Sequence, residues 1–206
     1  MFKKIDWKLV TLLASVSYPF LIHYWVLTEQ YLLAGSYIAV IVLILVIQNL
    51  YQGHIGLALI LSIVSLGIGC SLWYDSQMII FLPPIVVPLM LAYIFGKTLI
   101  GNQQAFITVM AQKMRRMPLG KKEIQYTRKV TYLWLIFFLA TVLEDIYLAY
   151  FTSIETWSYV TNFLNYILVA IMFVVEYIVR KIILPDLAHP SFFGFIKKLI
   201  YIQRRH

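Results

Sequence analysis

The sequence predicts an all-α membrane protein, a polytopic bundle of six transmembrane helices with two amphipathic segments on the cytoplasmic side. Three observations lead to this prediction: the composition, the length of the apolar runs and the placement of the basic residues. The 206-residue chain is 62% hydrophobic and 13% charged, whereas soluble domains have about 25% charged residues. Most of the chain is therefore expected to face lipid.

Six segments are long enough to span a bilayer, because about 20 apolar residues cross the hydrocarbon core as a helix. The whole chain is interpreted as one membrane domain whose spans are 8–27, 31–50, 54–73, 77–96, 130–151 and 157–179. Pro83, Pro84 and Pro88 make a straight helix unfavourable at the start of the fourth span. The single cysteine, Cys70, excludes an internal disulfide and a cysteine metal cluster.

The basic residues predict the orientation. All 17 lysines and arginines lie in three regions, which are the start of the chain through Lys8, the loop 97–129 and the tail 180–206. Six spans place these regions on one side, and the positive-inside rule makes that side cytoplasmic, together with both termini. The opposite connections carry Glu29, Asp75 and Glu155 and no base.

The loop 97–129 and the tail 180–206 have helical apolar spacing beside bases, which is typical of interfacial helices on an anionic leaflet. Membrane lipids and their anionic headgroups are the expected partners. An acidic partner such as an acyl carrier protein is the alternative. The candidate headgroup or acidic-partner ligands are Lys113, Arg115, Arg116, Lys121, Lys122, Arg128 and Lys129. Nucleic-acid binding is not expected, because topology explains the charge and no nucleic-acid motif is present.

Ionisable groups within the predicted spans mark a candidate polar site, because such groups usually face a partner or a cavity. Glu144 and Asp145 lie in the outer third of the fifth span, and His23 lies at a comparable depth in the first. Adjacent acids point about 100° apart on a helix, so one can face the bundle while the other meets water. A proton site, a cation site, a polar anchor for a substrate and simple solvation at the boundary all remain open.

The sixth span carries further polar candidates on approximately one face, namely Asn162, Asn165 and Glu176. Arg180 follows Glu176 by four residues, the favourable order for a helical ion pair. Hydrogen bonding between helices and the lining of a substrate site are the two interpretations.

Catalytic signals are weak. The sequence has no His-Glu zinc motif, phosphate loop or nucleophile elbow. Asp186, His189 and Ser191 are close in the tail, but closeness in sequence does not make a triad. No catalytic residue, metal site or cofactor is predicted, and a role other than catalysis is favoured over an enzyme.

Two resemblances add to this interpretation. The segments "FGKTLI", "YTRKVTYLWLIFF", "NFLNYILVAIMFVVEYIVR" and "PDLAHPSFFGFI" resemble the small membrane proteins of bacterial aryl-polyene and xanthomonadin-type pigment clusters. Some of those proteins carry a ketosynthase label, which this chain's residues do not support. A basic loop followed by "YLWLIFF", "IYLAYF" and an Asn-rich last span is similar in layout to intracellular septation protein A.

The first resemblance implies an inner-membrane accessory protein in aryl-polyene or related acyl-lipid biogenesis. It would bind or pass a lipid-linked intermediate, or scaffold cytoplasmic biosynthetic enzymes. The alternatives are a small proton-coupled transporter, an envelope-maintenance or septation factor, and a membrane acyltransferase that uses His23 or His189.

Overall fold

The computed structural model describes residues 7–74, 77–115 and 118–184. The predicted amphipathic stripe of the tail, the trio Asp186, His189 and Ser191, and the candidate ligand Arg116 lie outside the described residues. The part described is helical and contains no strand, as the predicted fold class requires.

Eight α-helices make up most of this part, with a short 3₁₀ turn at Met78–Phe81 and a π-helix at Val160–Leu164. The α-helices are α1 (Trp7–Leu27), α2 (Tyr31–Tyr51), α3 (Ile55–Tyr74), α4 (Leu82–Lys97), α5 (Phe106–Arg115), α6 (Lys121–Phe151), α7 (Ile154–Tyr159) and α8 (Asn165–Ile183). The 3₁₀ turn precedes Pro83 and Pro84, at the place where the prolines predict a departure from a straight helix.

Four helical stretches have the length and composition needed to cross a membrane, namely Tyr31–Tyr51, Ile55–Tyr74, Met78–Lys97 and Lys121–Phe151. In the most apolar 18-residue stretch of each helix, only 11% to 28% of the residues are buried inside the protein. The other residues of these stretches are at least partly exposed. The length and composition of the four helical stretches indicate a membrane protein. Leu13–Leu27 of α1 is a shorter apolar helix, and the 19-residue α8 carries Glu176, Arg180 and Lys181. The six-span arrangement remains a prediction.

Helix α6 begins at Lys121, nine residues before the predicted fifth span. Its 31 residues correspond to about 46 Å, longer than the roughly 30 Å hydrocarbon core. The carboxylate of Glu123 accepts a hydrogen bond from the Gly120 backbone N–H at 2.6 Å and so caps the first turn. The polar start of α6 thus belongs to the segment that the sequence predicts as a loop.

The turn between α2 and α3 depends on Gly53, whose φ is +76°. The backbone N–H of His54 donates to the Asn49 carbonyl at 2.9 Å, and that of Gly53 donates to the Leu50 carbonyl at 3.1 Å. This pattern ends a helix with one left-handed residue, a conformation that glycine adopts at little cost.

The contacts divide the chain into two units, and each has its own apolar core. The first unit combines the part before Val87 with Glu144–Asn165. Its core joins α1, α2, α3, the 3₁₀ turn and α7 through Ile22, Val26, Ala34, Ile38, Ile68, Ile79, Ile80 and Trp157. The fully buried Trp157 ring lies 4.5 Å from that of Phe81, centroid to centroid.

The second unit comprises Val87–Leu143 and the described part after Asn165. Tyr126, Val130, Trp134 and Phe138 recur every four residues along α6 and form one side of its core, with Phe95 of α4 opposite. Helix α5 contacts α6 through a buried hydrogen bond: the Thr108 and Thr127 hydroxyls lie 2.7 Å apart. The predicted loop segment is thus a helix that is held by specific contacts with α6.

Candidate functional site: a buried polar cluster and an apolar groove

The first unit contains a buried carboxylate. Asp145 has no exposed surface, and its Oδ1 accepts a hydrogen bond from Asn165 Nδ2 at 3.2 Å. Glu144 is only partly buried. The two neighbouring acids therefore differ as the sequence predicts: one faces the protein interior and the other reaches its surface.

The π-helix explains how buried residues from the end of α7 to the start of α8 share one face. The backbone N–H of Asn165 donates to the carbonyl of Val160, five residues back. On an ordinary α-helix, a residue points about 40° away from the direction of the residue four positions before it. A π turn is wider, so the difference in direction is smaller. The residues kept on the buried side are Trp157, Ser158, Thr161, Asn162 and Asn165.

His23 joins this face from α1. Its Nδ1 lies 3.0 Å from Ser158 Oγ, and its ring meets that of Phe163 edge-on at 5.1 Å. Asn162 Nδ2 donates to the Ser158 carbonyl at 2.9 Å and to Ser158 Oγ at 3.2 Å. Within the described residues, no hydrogen bond or ion pair joins His23 to either acid. His23 thus meets the sixth predicted span instead of the two acids.

Several buried polar atoms of this unit make no hydrogen bond to the described residues. The acceptors are Asp145 Oδ2, Asn162 Oδ1 and Asn165 Oδ1, and Trp157 Nε1 is a donor. Buried polar groups in folded proteins nearly always have partners, so such atoms are unusual; Asp145 and Asn165 are in direct contact through Asn165 Nδ2. These atoms, with Ser158 and His23 beside them, are called the polar cluster below.

Glu176 belongs to the second unit, and its contacts are with Arg180 and Tyr126. It forms the predicted ion pair with Arg180. The Tyr126 hydroxyl lies 3.2 Å from both the Glu176 carbonyl and its Oε1. Glu176 is therefore already neutralised and hydrogen-bonded, and it is separate from the polar cluster.

Most of the predicted headgroup ligands are exposed, namely Lys113, Arg115, Lys121, Lys122 and Lys129. Arg128 instead donates to the Leu99 carbonyl at 2.9 Å. Arg115 pairs with Glu123 at the start of α6. Four lysines of the predicted set, Lys113, Lys121, Lys122 and Lys129, are thus accessible to an anionic partner.

The first turn of α7 carries an acid, Glu155, outside the predicted spans. Ser153 Oγ accepts a hydrogen bond from the Thr156 backbone N–H at 3.3 Å and caps α7. Hydrogen bonds from the Ser153 side chain and from Glu155's own backbone lower the pKa of the Glu155 carboxyl. Glu155 is therefore ionised at neutral pH.

An apolar groove lies in the second unit, and its lining was not predicted. It has a volume of about 690 Å³ and is lined by Leu89, Met90, Ala92, Tyr93, Ile94, Leu135 and Leu139. The Lys97 ammonium lies 5.5 Å from the centroid of the Tyr93 ring. The groove therefore has apolar walls and a cation at one end. Tyr93 and Lys97, four residues apart at a span end, are the only hint of it in the sequence.

No group of three or more His, Cys, Asp or Glu side chains within the described residues could hold a metal ion. No protein-family model, curated protein or solved structure matches the chain. The functional interpretation therefore depends on the residues of the groove and of the polar cluster.

Proposed function

We propose that this chain is an inner-membrane accessory protein in acyl-lipid biogenesis, and that it binds a lipid-linked intermediate with an acidic headgroup. Aryl-polyene or related lipids are the class that the sequence resemblance implies. The observation that carries the proposal is the apolar groove between α4 and α6 with Lys97 at its end.

The groove has the apolar chemistry that suits an acyl chain. It is an open surface groove with a volume of about 690 Å³ and an almost wholly apolar lining. Leu89, Met90, Tyr93 and Leu139 are exposed along it, so the groove is open on the side from which a lipid could enter.

Lys97 supplies the recognition of the headgroup. Its ammonium lies over the Tyr93 ring, a contact that holds a cation near an aromatic face, and a cation so held can form a charge-assisted hydrogen bond with a phosphate or carboxylate. Lys97 is also in the last turn of α4, where it complements the helix dipole. Retention of acidic lipids reports on the headgroup contact alone, because the dipole contribution does not depend on lipid.

The proposed topology puts this end of the groove at the cytoplasmic face. With six spans and both termini inside, the C-terminal end of α4 and the exposed lysines of α5 and α6 share that side. Lys113, Lys121, Lys122 and Lys129 are then available to anionic lipid or to an acidic carrier protein. The chain would present its lipid to cytoplasmic enzymes without catalysing a reaction itself.

Native mass spectrometry of gently extracted protein tests the proposal. Leu139→Trp should fill the groove and remove a co-purified acyl lipid, and Lys97→Gln should weaken retention of acidic lipids. Ile136→Trp is the matched control, because Ile136 is an exposed residue of α6 outside the groove lining. Equal lipid retention in wild type and Leu139→Trp would refute the proposal.

A further inference from the structure

The polar cluster of the first unit has an imbalance of charge. Asp145 is fully buried, and the part of this unit whose side chains are described contains no lysine or arginine. A buried ionised carboxylate without a counter-charge is strongly unfavourable, so it is normally paired, metal-bound or protonated. Asp145 therefore requires either a positive partner or a proton.

The amide groups beside Asp145 show what kind of partner suits the cluster. Asn165 directs its Nδ2 to Asp145 Oδ1, and Asn162 directs its Nδ2 to Ser158. Each amide therefore has its oxygen left over, and neither oxygen receives a hydrogen bond from the described residues. With Asp145 Oδ2, the cluster presents three buried oxygen acceptors and a single negative charge.

We propose that the polar cluster binds a small monovalent cation through Asp145 Oδ2, Asn165 Oδ1 and Asn162 Oδ1. Carboxylate and amide oxygens are the ligands that hard cations prefer. A charge of +1 balances the single buried acid, whereas a divalent ion would leave an uncompensated positive charge. Such a site uses one carboxylate and two amide oxygens, so it differs from a group of three or more His, Cys, Asp or Glu side chains, of which the described residues contain none.

A proton satisfies this cluster less completely than a cation. Protonation of Asp145 would neutralise its charge but supply only one O–H donor, so at least one of the two amide oxygens would still have no partner. A coordinated cation can contact several oxygens at once. The π-helix supports the same interpretation, because such turns commonly occur at functional sites.

Two other titratable groups affect the site. Glu144 is adjacent to Asp145 on α6, and His23 reaches the cluster from α1 through Ser158. A protonated His23 would repel a bound cation, whereas the partly exposed Glu144 would favour it weakly. Binding should therefore be measured at about pH 8, well above the ordinary imidazole pKa.

The site is separate from the groove, which lies in the other unit. Its occupancy can be tested without any acyl lipid. Failure of one proposal therefore leaves the other standing.

Thermal unfolding of the detergent-solubilised protein at constant ionic strength tests the site. Sodium, potassium and methylammonium chloride are each titrated against choline chloride, whose cation is too large for the cluster. Wild type should show a saturable rise in Tm of about 4 °C at roughly ten times the dissociation constant. The selectivity among the three cations distinguishes a metal-ion site from an ammonium site.

The variants locate the effect. Asp145→Asn and Asn165→Ala should abolish the cation-dependent shift, and Glu144→Gln, the neighbouring acid, should retain it. A wild-type Tm that is the same in all four salts would overturn the proposal. A Tm that instead rises as pH falls from 8 to about 5, with no dependence on the cation, would overturn it in favour of a protonated Asp145. If a variant does not fold, the wild-type titration still decides between these outcomes.

Discussion

At the scale of single residues, the acids of α6 show where sequence reasoning is sufficient and where it stops. Helix geometry predicts that Glu144 and Asp145 face different surroundings, and the structure agrees. The partner of the buried acid, Asn165, is twenty residues away and meets Asp145 only in the folded chain. The pairing of His23 with Ser158 has no sequence signal for the same reason.

The turn at Gly53 gives a prediction for one residue. Gly53→Ala should lower the free energy of unfolding by about 1 kcal/mol, because an alanine is strained at positive φ. A Cβ at Gly53 would meet no atom within 4 Å, so the effect is one of backbone conformation alone.

Gly67→Ala is the control for that change. Gly67 lies within α3, and a Cβ there also meets no atom within 4 Å. Because alanine is favoured over glycine inside a helix, this variant should be as stable as wild type or more stable. Thermal unfolding in detergent compares the two, and the same loss of stability in both would contradict the account of the turn.

At the scale of elements, the apolar runs predict the bounds of α1, α2 and α3 within one residue of the observed helices. Helices α2 and α3 differ from the predicted spans by single residues, because a run of apolar side chains and its flanking turn both appear in the sequence. The start of α6 is missed because a helix that leaves the membrane has no apolar signal. The π-helix is missed because it depends on the burial of Asn162 and its neighbours against other helices.

The docking of α5 on α6 gives a prediction for an element. Thr108→Val removes the buried hydroxyl contact with Thr127 and should weaken the docking by about 1 kcal/mol. Amide hydrogen exchange in Phe106–Arg115 should become faster, while exchange in α2 should not change. Lys113→Gln, an exposed change on the same helix, should have no such effect. Unchanged exchange in Thr108→Val would show that the hydroxyl contact between Thr108 and Thr127 does not hold α5 in place.

At the scale of the whole molecule, the prediction of the fold class depends mainly on the composition and on the distribution of basic residues. They indicate a helical membrane protein, and four long apolar helices agree with this. The groove could not be predicted, because α4 and α6 contribute its walls from distant parts of the sequence. The basic loop is predicted as a source of headgroup ligands, and the structure adds that Arg128 donates a hydrogen bond to the Leu99 carbonyl.

The proposed topology predicts which turns face outward. In a Cys70→Ala background, Glu29→Cys should react with a membrane-impermeant maleimide on right-side-out vesicles. Gln52→Cys, in the next turn, should react only after the membrane is opened with detergent. Both positions are exposed, so a difference between them reports on sidedness. Labelling of Gln52→Cys from outside would contradict six spans with cytoplasmic termini.

Photocrosslinking from within the groove tests the proposed lipid function most directly. A benzophenone amino acid at Leu139 should capture an acyl lipid with an acidic headgroup, and Lys97→Gln should reduce that product selectively. The same probe at Ile136 should capture bulk lipid in its ordinary proportions. If Leu139 and Ile136 yield the same lipids in the same proportions, α4 and α6 merely face the bilayer and the proposed lipid-binding role is wrong.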